Sequence, residues 1–119
     1  MNHEFIGSDT EMFIREYKEG LGEYQQKMPA VVEKYLDFTG VCFASGSLDR
    51  KTKHLIGLGI SICVQDEYCI MYHTKEALHE GASEQDVLEV VGVAAAFGGG
   101  VAMSQGVTLV QECLQDLLH

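Results

Sequence analysis

At 119 residues the chain has the length of one ordinary domain and enough sequence to bury a core. Eighteen acidic against eight basic residues leave a formal charge of −10, a field that repels a phosphate backbone and gives nucleic-acid binding no electrostatic support. With 46% apolar and 22% charged residues, the composition is that of a folded globular protein, not a disordered one.

Met12, Phe13, Tyr17, Leu21 and Tyr24 recur three to five residues apart and predict a first helix over about residues 10–27, weakened at Gly20 and Gly22. Pro29 suits the first turn of a second helix, where its missing N–H needs no partner. Val31, Val32, Tyr35, Leu36 and Phe38 give that helix its apolar face, and Gly46 and Ser47 break it beyond Ala44. Asp49 is placed to cap a third helix. The run from Leu55 to Val64 is apolar on every side, a composition a strand would also allow. Its charged lead-in, Asp49 to Lys53, and its lack of alternation favour a buried helix. Asp66 starts a fourth helix running to about Glu80, and Gly81 can adopt the left-handed conformation that ends helices. Ser83 with Asp86 is close to a capping box and opens a fifth helix over about 84–97. Gly98, Gly99 and Gly100 interrupt it, and a sixth helix over about 101–118 closes the chain. Nothing alternates with period two, so the expected fold is all-α: one domain over 1–119, a bundle of about six helices.

Two of these helices, about 55–64 and 87–97, are apolar all round and hard to hide inside so small a monomer, which predicts a homo-oligomer. Residues 90–111 carry no charge, long enough to raise the question of a membrane span. Their glycines, alanines, Ser104 and Gln105 supply too little transfer energy, and burial in a subunit interface fits better. The opening Met1-Asn2-His3-Glu4 lacks the basic segment and apolar run of a secretory signal. A reducing, cytoplasmic setting is therefore expected, in which Cys42, Cys63, Cys69 and Cys113 are thiols. Cys42, Cys63 and Cys113 have apolar neighbours and are expected to be buried.

Cys69 has different surroundings. In Asp66-Glu67-Tyr68-Cys69-Ile70-Met71-Tyr72-His73, Cys69 and His73 are four apart and share one helix face. Cys69 also falls in the first turn, where free N–H groups and the helix dipole stabilise a thiolate. A neighbouring imidazole can take its proton. Glu67 could act as a base near Cys69, although a first-turn glutamate is also simply favourable to the dipole. Lys75 and His79, on the same helix, need no more than solvent-facing roles, and the triple glycine follows no strand, so it does not read as a phosphate cradle.

Three segments carry a resemblance in their order and spacing: Leu48-Asp49-Arg50-Lys51-Thr52-Lys53-His54-Leu55-Ile56, then Tyr68-Cys69-Ile70 with His73, then Gly81-Ala82-Ser83-Glu84. The chain resembles the carboxymuconolactone decarboxylase-like and alkylhydroperoxidase D-like family over about residues 28–105. That resemblance implies helical subunits assembled as trimers or as paired rings of trimers. In the alkylhydroperoxidase D-like branch it also implies a redox Cys-x-x-Cys whose second cysteine meets the peroxide, served by a proton relay of a glutamate and histidines. Carried over, the second cysteine is Cys69 and the last histidine is His73. The first cysteine falls on Asp66, the glutamate on His54, and Tyr68 stands where some members have a further histidine.

Both departures have physical consequences. Without a thiol at residue 66, Cys69 lacks a resolving partner one turn away, and Cys63 is the only other cysteine nearby. Asp66 is expected to cap the helix, and its charge works against a thiolate at Cys69. His54 could relay protons, or simply line an interface. The leading functional expectation is a thiol-dependent peroxidase that reduces a peroxide at Cys69 with His73 as proton carrier, regenerated by an external thiol. The alternative is lyase or decarboxylase chemistry on a small organic acid, with His73 or His54 as acid or base and a cation among Arg50, Lys51 and Lys53 holding the anion. A transition metal on His54, Asp66, Cys69 and His73 is a third possibility, and a non-catalytic role a fourth; no cofactor is otherwise expected.

Overall fold

The structure, a computed structural model, describes residues 9–119, so the N-terminal tetrapeptide used above lies outside it. The described chain is helical throughout, with α1 at Asp9–Lys27, α2 at Pro29–Phe43, α3 at Arg50–Val64, α4 at Glu67–His79, α5 at Glu84–Gln105 and α6 at Gln111–Leu118. A π-helical segment, Gly106–Val110, joins α5 to α6. The last two helices are therefore one rod rather than two separated elements, which leaves five rods where six were expected. The predicted interruption survives as a kink at Gly99, whose φ of 69° and ψ of −149° leave helical geometry in a region open to glycine.

Local signals set the other boundaries as expected. Asp49 Oδ1 accepts from Thr52 N at 2.8 Å and caps α3, and Asp66 Oδ1 accepts from Cys69 N at 3.1 Å and caps α4. Gly81, at φ 100°, ends α4 with Gly81 N donating to Leu78 O and Ala82 N to Ala77 O, the double bond of a Schellman turn. Ser83 and Asp86 form a full capping box, Asp86 N to Ser83 Oγ at 3.0 Å and Ser83 N to Asp86 Oδ2 at 2.9 Å. One boundary carries no sequence signal: Gln65 closes α3 at φ 61°, a left-handed position filled by a residue with a Cβ.

α3 is the central helix, packed mainly against α4 and α5. Leu58 and Ile62 of α3, Ile70 of α4, Val87 and Val91 of α5, and Val110 and Leu114 beyond it form the main core. A second cluster of Ile14, Met71 and Cys113 fixes α1 against α4 and α6. Thr10 adds to that junction by donating from both its N–H and its hydroxyl to Asp116 Oδ2.

Two burial expectations fail. Only Val32 of the predicted α2 face is buried, while Val31, Tyr35, Leu36 and Phe38 are exposed. Cys113 is buried as expected, but Cys42 and Cys63 are exposed. Cys42 rides on the outward surface of α2, and Cys63 lies on the side of α3 that faces an open apolar groove. That groove, between α3 and α5, encloses about 620 Å³ and is lined by Ile56, Ile60, Val64, Val93 and Phe97 among others. Phe97 is 88% exposed. The run Glu84–Leu118 is long and apolar enough, by length and composition, to cross a membrane, but the Gly99 kink divides it.

Replacing Ser83 by Ala removes one half of the capping box and should lower unfolding free energy by about 1 kcal/mol, while Ser83→Thr should change it little. Denaturant unfolding of the two variants beside the parent checks this.

Candidate functional site

Two helical stripes meet at one place. Arg50, His54, Gly57 and Ser61 follow a spacing of three and four residues along α3, and Cys69, His73, Glu76 and Glu80 do the same along α4. Residues so spaced stack on one helix face, so packing α3 on α4 brings the two sets together.

The centre of the contact is a pair of imidazoles. His54 Nδ1 lies 3.0 Å from His73 Nδ1. His54 is 1% exposed and His73 9%. Two nitrogens at that distance bond only if one carries the hydrogen and the other the lone pair, so at most one hydrogen lies between them. Gly57 makes room for the pair: a Cβ at residue 57 would come within 3.1 Å of Nε2 and Cε1 of His73. The Phe43 ring covers both, with centroids 4.7 Å from His54 and 5.2 Å from His73, and Tyr72 meets each edge-on. Burial and the neighbouring His54 push His73 down to about 4, and burial, with Arg50 adding to it, also lowers His54. Both rings are neutral at pH 7.

Arg50 holds the outer end. Its NH2 group lies 3.4 Å from His54 Nε2, its Nε donates to Glu80 Oε2 at 3.2 Å, and its NH1 donates to Phe43 O at 3.2 Å. The guanidinium is thus committed in three directions, the strength of a planar fork. Lys53 donates to Ala44 O at 2.6 Å and lies away from the site. Of the three cations expected to hold an anion, only Arg50 reaches the cavity, and it is already engaged.

Cys69 shares the cavity with both histidines. Its thiol is pushed up to about 11, first by burial and then by the Asp66 carboxylate, with Ser61 working the other way. The first-turn position, read in the sequence as a source of thiolate, is outweighed by these two effects. Asp66 therefore has two roles, capping α4 and holding Cys69 as a thiol. Glu67, also singled out in the sequence, is exposed in the first turn of α4 and does not line the cavity. Cys63 lies across α3 in the apolar groove, apart from this cavity. Among the described residues no group of three or more His, Cys, Asp or Glu is gathered to hold a metal ion.

The cavity holds about 460 Å³. Besides the polar groups it is lined by five aromatic rings, Tyr17, Tyr35, Phe43, Tyr68 and Tyr72, with Lys18 as its other cation. Tyr17 stacks on Tyr68 at 3.7 Å, and Tyr68 on Tyr72 at 5.7 Å, so α1 is tied to the wall of the site. Tyr17, Lys18 and Phe43 carry no local signal for the site, because α1 and α2 bring them to it only by tertiary packing; Gly57 stands three residues after His54 on α3, where spacing alone could have placed it. For Arg50 the signal was present, since it stands four residues before His54.

The sequence profile of the carboxymuconolactone decarboxylase family matches residues 29–112, and the chain belongs to that family. Among curated proteins, uncharacterized protein 4 of the cox locus of Paracoccus denitrificans is 35% identical over 82 residues, covering 69% of this chain and 74% of that one. An uncharacterized protein of Cupriavidus necator is 25% identical over 93 residues, covering 78% and 82%. A family protein from Legionella pneumophila has the same fold, with a TM-score of 0.81 and 23% identity over 92% of this chain and 94% of that one. A Thermotoga maritima family protein with a suggested part in antioxidative response superimposes at a TM-score of 0.73, with 26% identity over 86% and 90%.

Because folded His73 stays neutral down to about 4 while an unfolded histidine takes a proton near 6.5, the unfolded state binds more protons between those values. Stability should therefore fall as pH is lowered through that window, by on the order of 2–3 kcal/mol. Unfolding midpoints measured from pH 7.5 to 4.5 should show the loss, and a His73→Asn variant should lack most of it.

Proposed function

We propose that this family member is a one-cysteine, thiol-dependent peroxidase-type oxidoreductase acting on a small organic hydroperoxide. The observation that carries the reading is that Cys69 and the His54–His73 pair line the same cavity. Cys69 Sγ bonds to one peroxide oxygen, the O–O bond breaks, and the thiol hydrogen ends on the departing oxygen. The products are a sulfenic acid and an alcohol. An external thiol condenses with the sulfenic acid, releasing water, and a second thiol frees Cys69 as a disulfide leaves. The histidine pair supplies hydrogen bonding to the oxygens in this exchange. Asp66 at the place of a resolving cysteine requires the outside reductant, and the raised thiol makes the enzyme slow at neutral pH. A reducing, cytoplasmic setting would supply that reductant.

Lys18 and the aromatic walls favour a second reading, acid–base chemistry on a small unsaturated organic acid, the class of reaction the family name denotes. There the neutral histidines would act and Cys69 would be incidental. Whichever chemistry holds, a homotrimer or hexamer closed over the α3–α5 groove is proposed. Exposed Ile60, Val64, Val93 and Phe97 support it, as does a radius of gyration of 14.9 Å against about 13 Å for a compact domain of this length. In sedimentation, Phe97→Glu should shift the parent assembly toward monomer.

The redox reading is tested by treating the protein with an organic hydroperoxide and a sulfenic-acid trap, then locating the adduct by mass spectrometry. The adduct should form at Cys69 and vanish in Cys69→Ser, and Asp66→Asn should speed it roughly three- to tenfold by removing the adjacent charge. A Cys69 that stays unmodified, while small unsaturated carboxylic acids raise the melting temperature, would hand the site to the second reading.

A further inference from the structure

We propose that Arg50 fixes the proton order of the histidine pair, so that His73 meets a ligand with an Nε2–H donor and not with a lone pair. A guanidinium has donors only, so His54 Nε2, 3.4 Å from Arg50 NH2, is the acceptor. A hydrogen on that nitrogen would face an N–H. Neutral His54 then carries its hydrogen on Nδ1 and donates it across 3.0 Å to His73 Nδ1. His73 Nδ1 is thereby an acceptor, and the hydrogen of neutral His73 is left on Nε2.

That last atom is free. His73 Nε2 has no hydrogen-bond partner among the described residues, yet it is not among the atoms sealed from solvent without a partner. His73 also lines the cavity that holds Cys69. The free N–H therefore suits a hydrogen-bond-accepting oxygen, such as an alkoxide, a carbonyl or a carboxylate. Neither ring has a lone pair to spare for the Cys69 thiol, because His54 Nε2 and His73 Nδ1 are both occupied.

Residue 54 sets the direction. A carboxylate there would accept from Arg50 and from His73 alike, forcing His73 to carry its hydrogen on Nδ1 and leaving Nε2 as a free base. A neutral imidazole accepts from Arg50 but donates to His73, which inverts the second ring. His54 thus turns His73 into a donor. Arg50 is a positioning residue in this scheme, held by the Glu80 carboxylate and the Phe43 carbonyl. The proton order stands on the geometry alone; only its use toward a peroxide oxygen rests on the redox reading above.

The test is long-range 1H–15N spectroscopy of the imidazoles in the full-length protein at neutral pH. The parent should show His54 protonated at Nδ1 only and His73 at Nε2 only. His54→Glu should move the His73 hydrogen to Nδ1, Arg50→Met should let His54 carry a hydrogen on Nε2, and Arg50→Lys, which keeps a donor, should restore the parent order. A parent spectrum with His54 protonated at Nε2 overturns the proposal, as does an unchanged order in a folded Arg50→Met. The parent spectrum decides by itself should a variant fail to fold. Hydroperoxide trapping on the same samples reads Cys69 separately, so a protein that shows this order but forms no sulfenic acid upholds the proton order and refutes the redox reading.

Discussion

Two imidazoles buried between α3 and α4, with room for one hydrogen between their Nδ1 atoms, set the terms for everything around them. A charged pair of this kind would repel, and burial keeps both rings neutral. Neutral imidazoles need one donor and one acceptor each, and the surrounding structure supplies that order: a fixed cation at one end, an aromatic cover, and a glycine that lets the helices close. Gly57 is the clearest sign that the contact is specific, because a Cβ there would press on the His73 ring at 3.1 Å, tighter than an ordinary van der Waals contact.

The same burial shapes Cys69. A thiol in a partly apolar wall beside a carboxylate gains nothing by ionising, and its position in the first turn of α4 does not outweigh those two effects. Asp66 stabilises the helix start through Cys69 N and holds the Cys69 proton on sulfur. Residues 54 and 66 thus move the site in one direction: away from a thiolate attended by a base, toward a thiol attended by a hydrogen-bond donor.

Much of this was legible in the sequence where the signal was local. The caps at Asp49, Asp66 and Ser83, the turn at Gly81, and the pairing of Cys69 with His73 on one face follow from spacings of three and four residues. Two things were not legible. The continuity of residues 84–118 depends on Gly99 bending α5 instead of ending it, and glycine composition alone does not choose between those outcomes. The exposure of Cys42 and Cys63 depends on which face of α2 and α3 the rest of the monomer covers, and apolar neighbours in sequence do not say. The contribution of Arg50 was half visible, as a cation near His54; its three hydrogen bonds needed Glu80 and Phe43 brought close by the fold.

Membership in the carboxymuconolactone decarboxylase family fixes the scaffold, and this chain's own side chains decide the chemistry. In that chemistry Cys69 is held as a thiol beside a neutral histidine pair. The pH dependence of alkylation at Cys69, followed residue by residue by mass spectrometry, addresses it most directly. The rate should climb through the alkaline range toward a midpoint near 11. A midpoint below about 8, the mark of an activated thiolate, would contradict it.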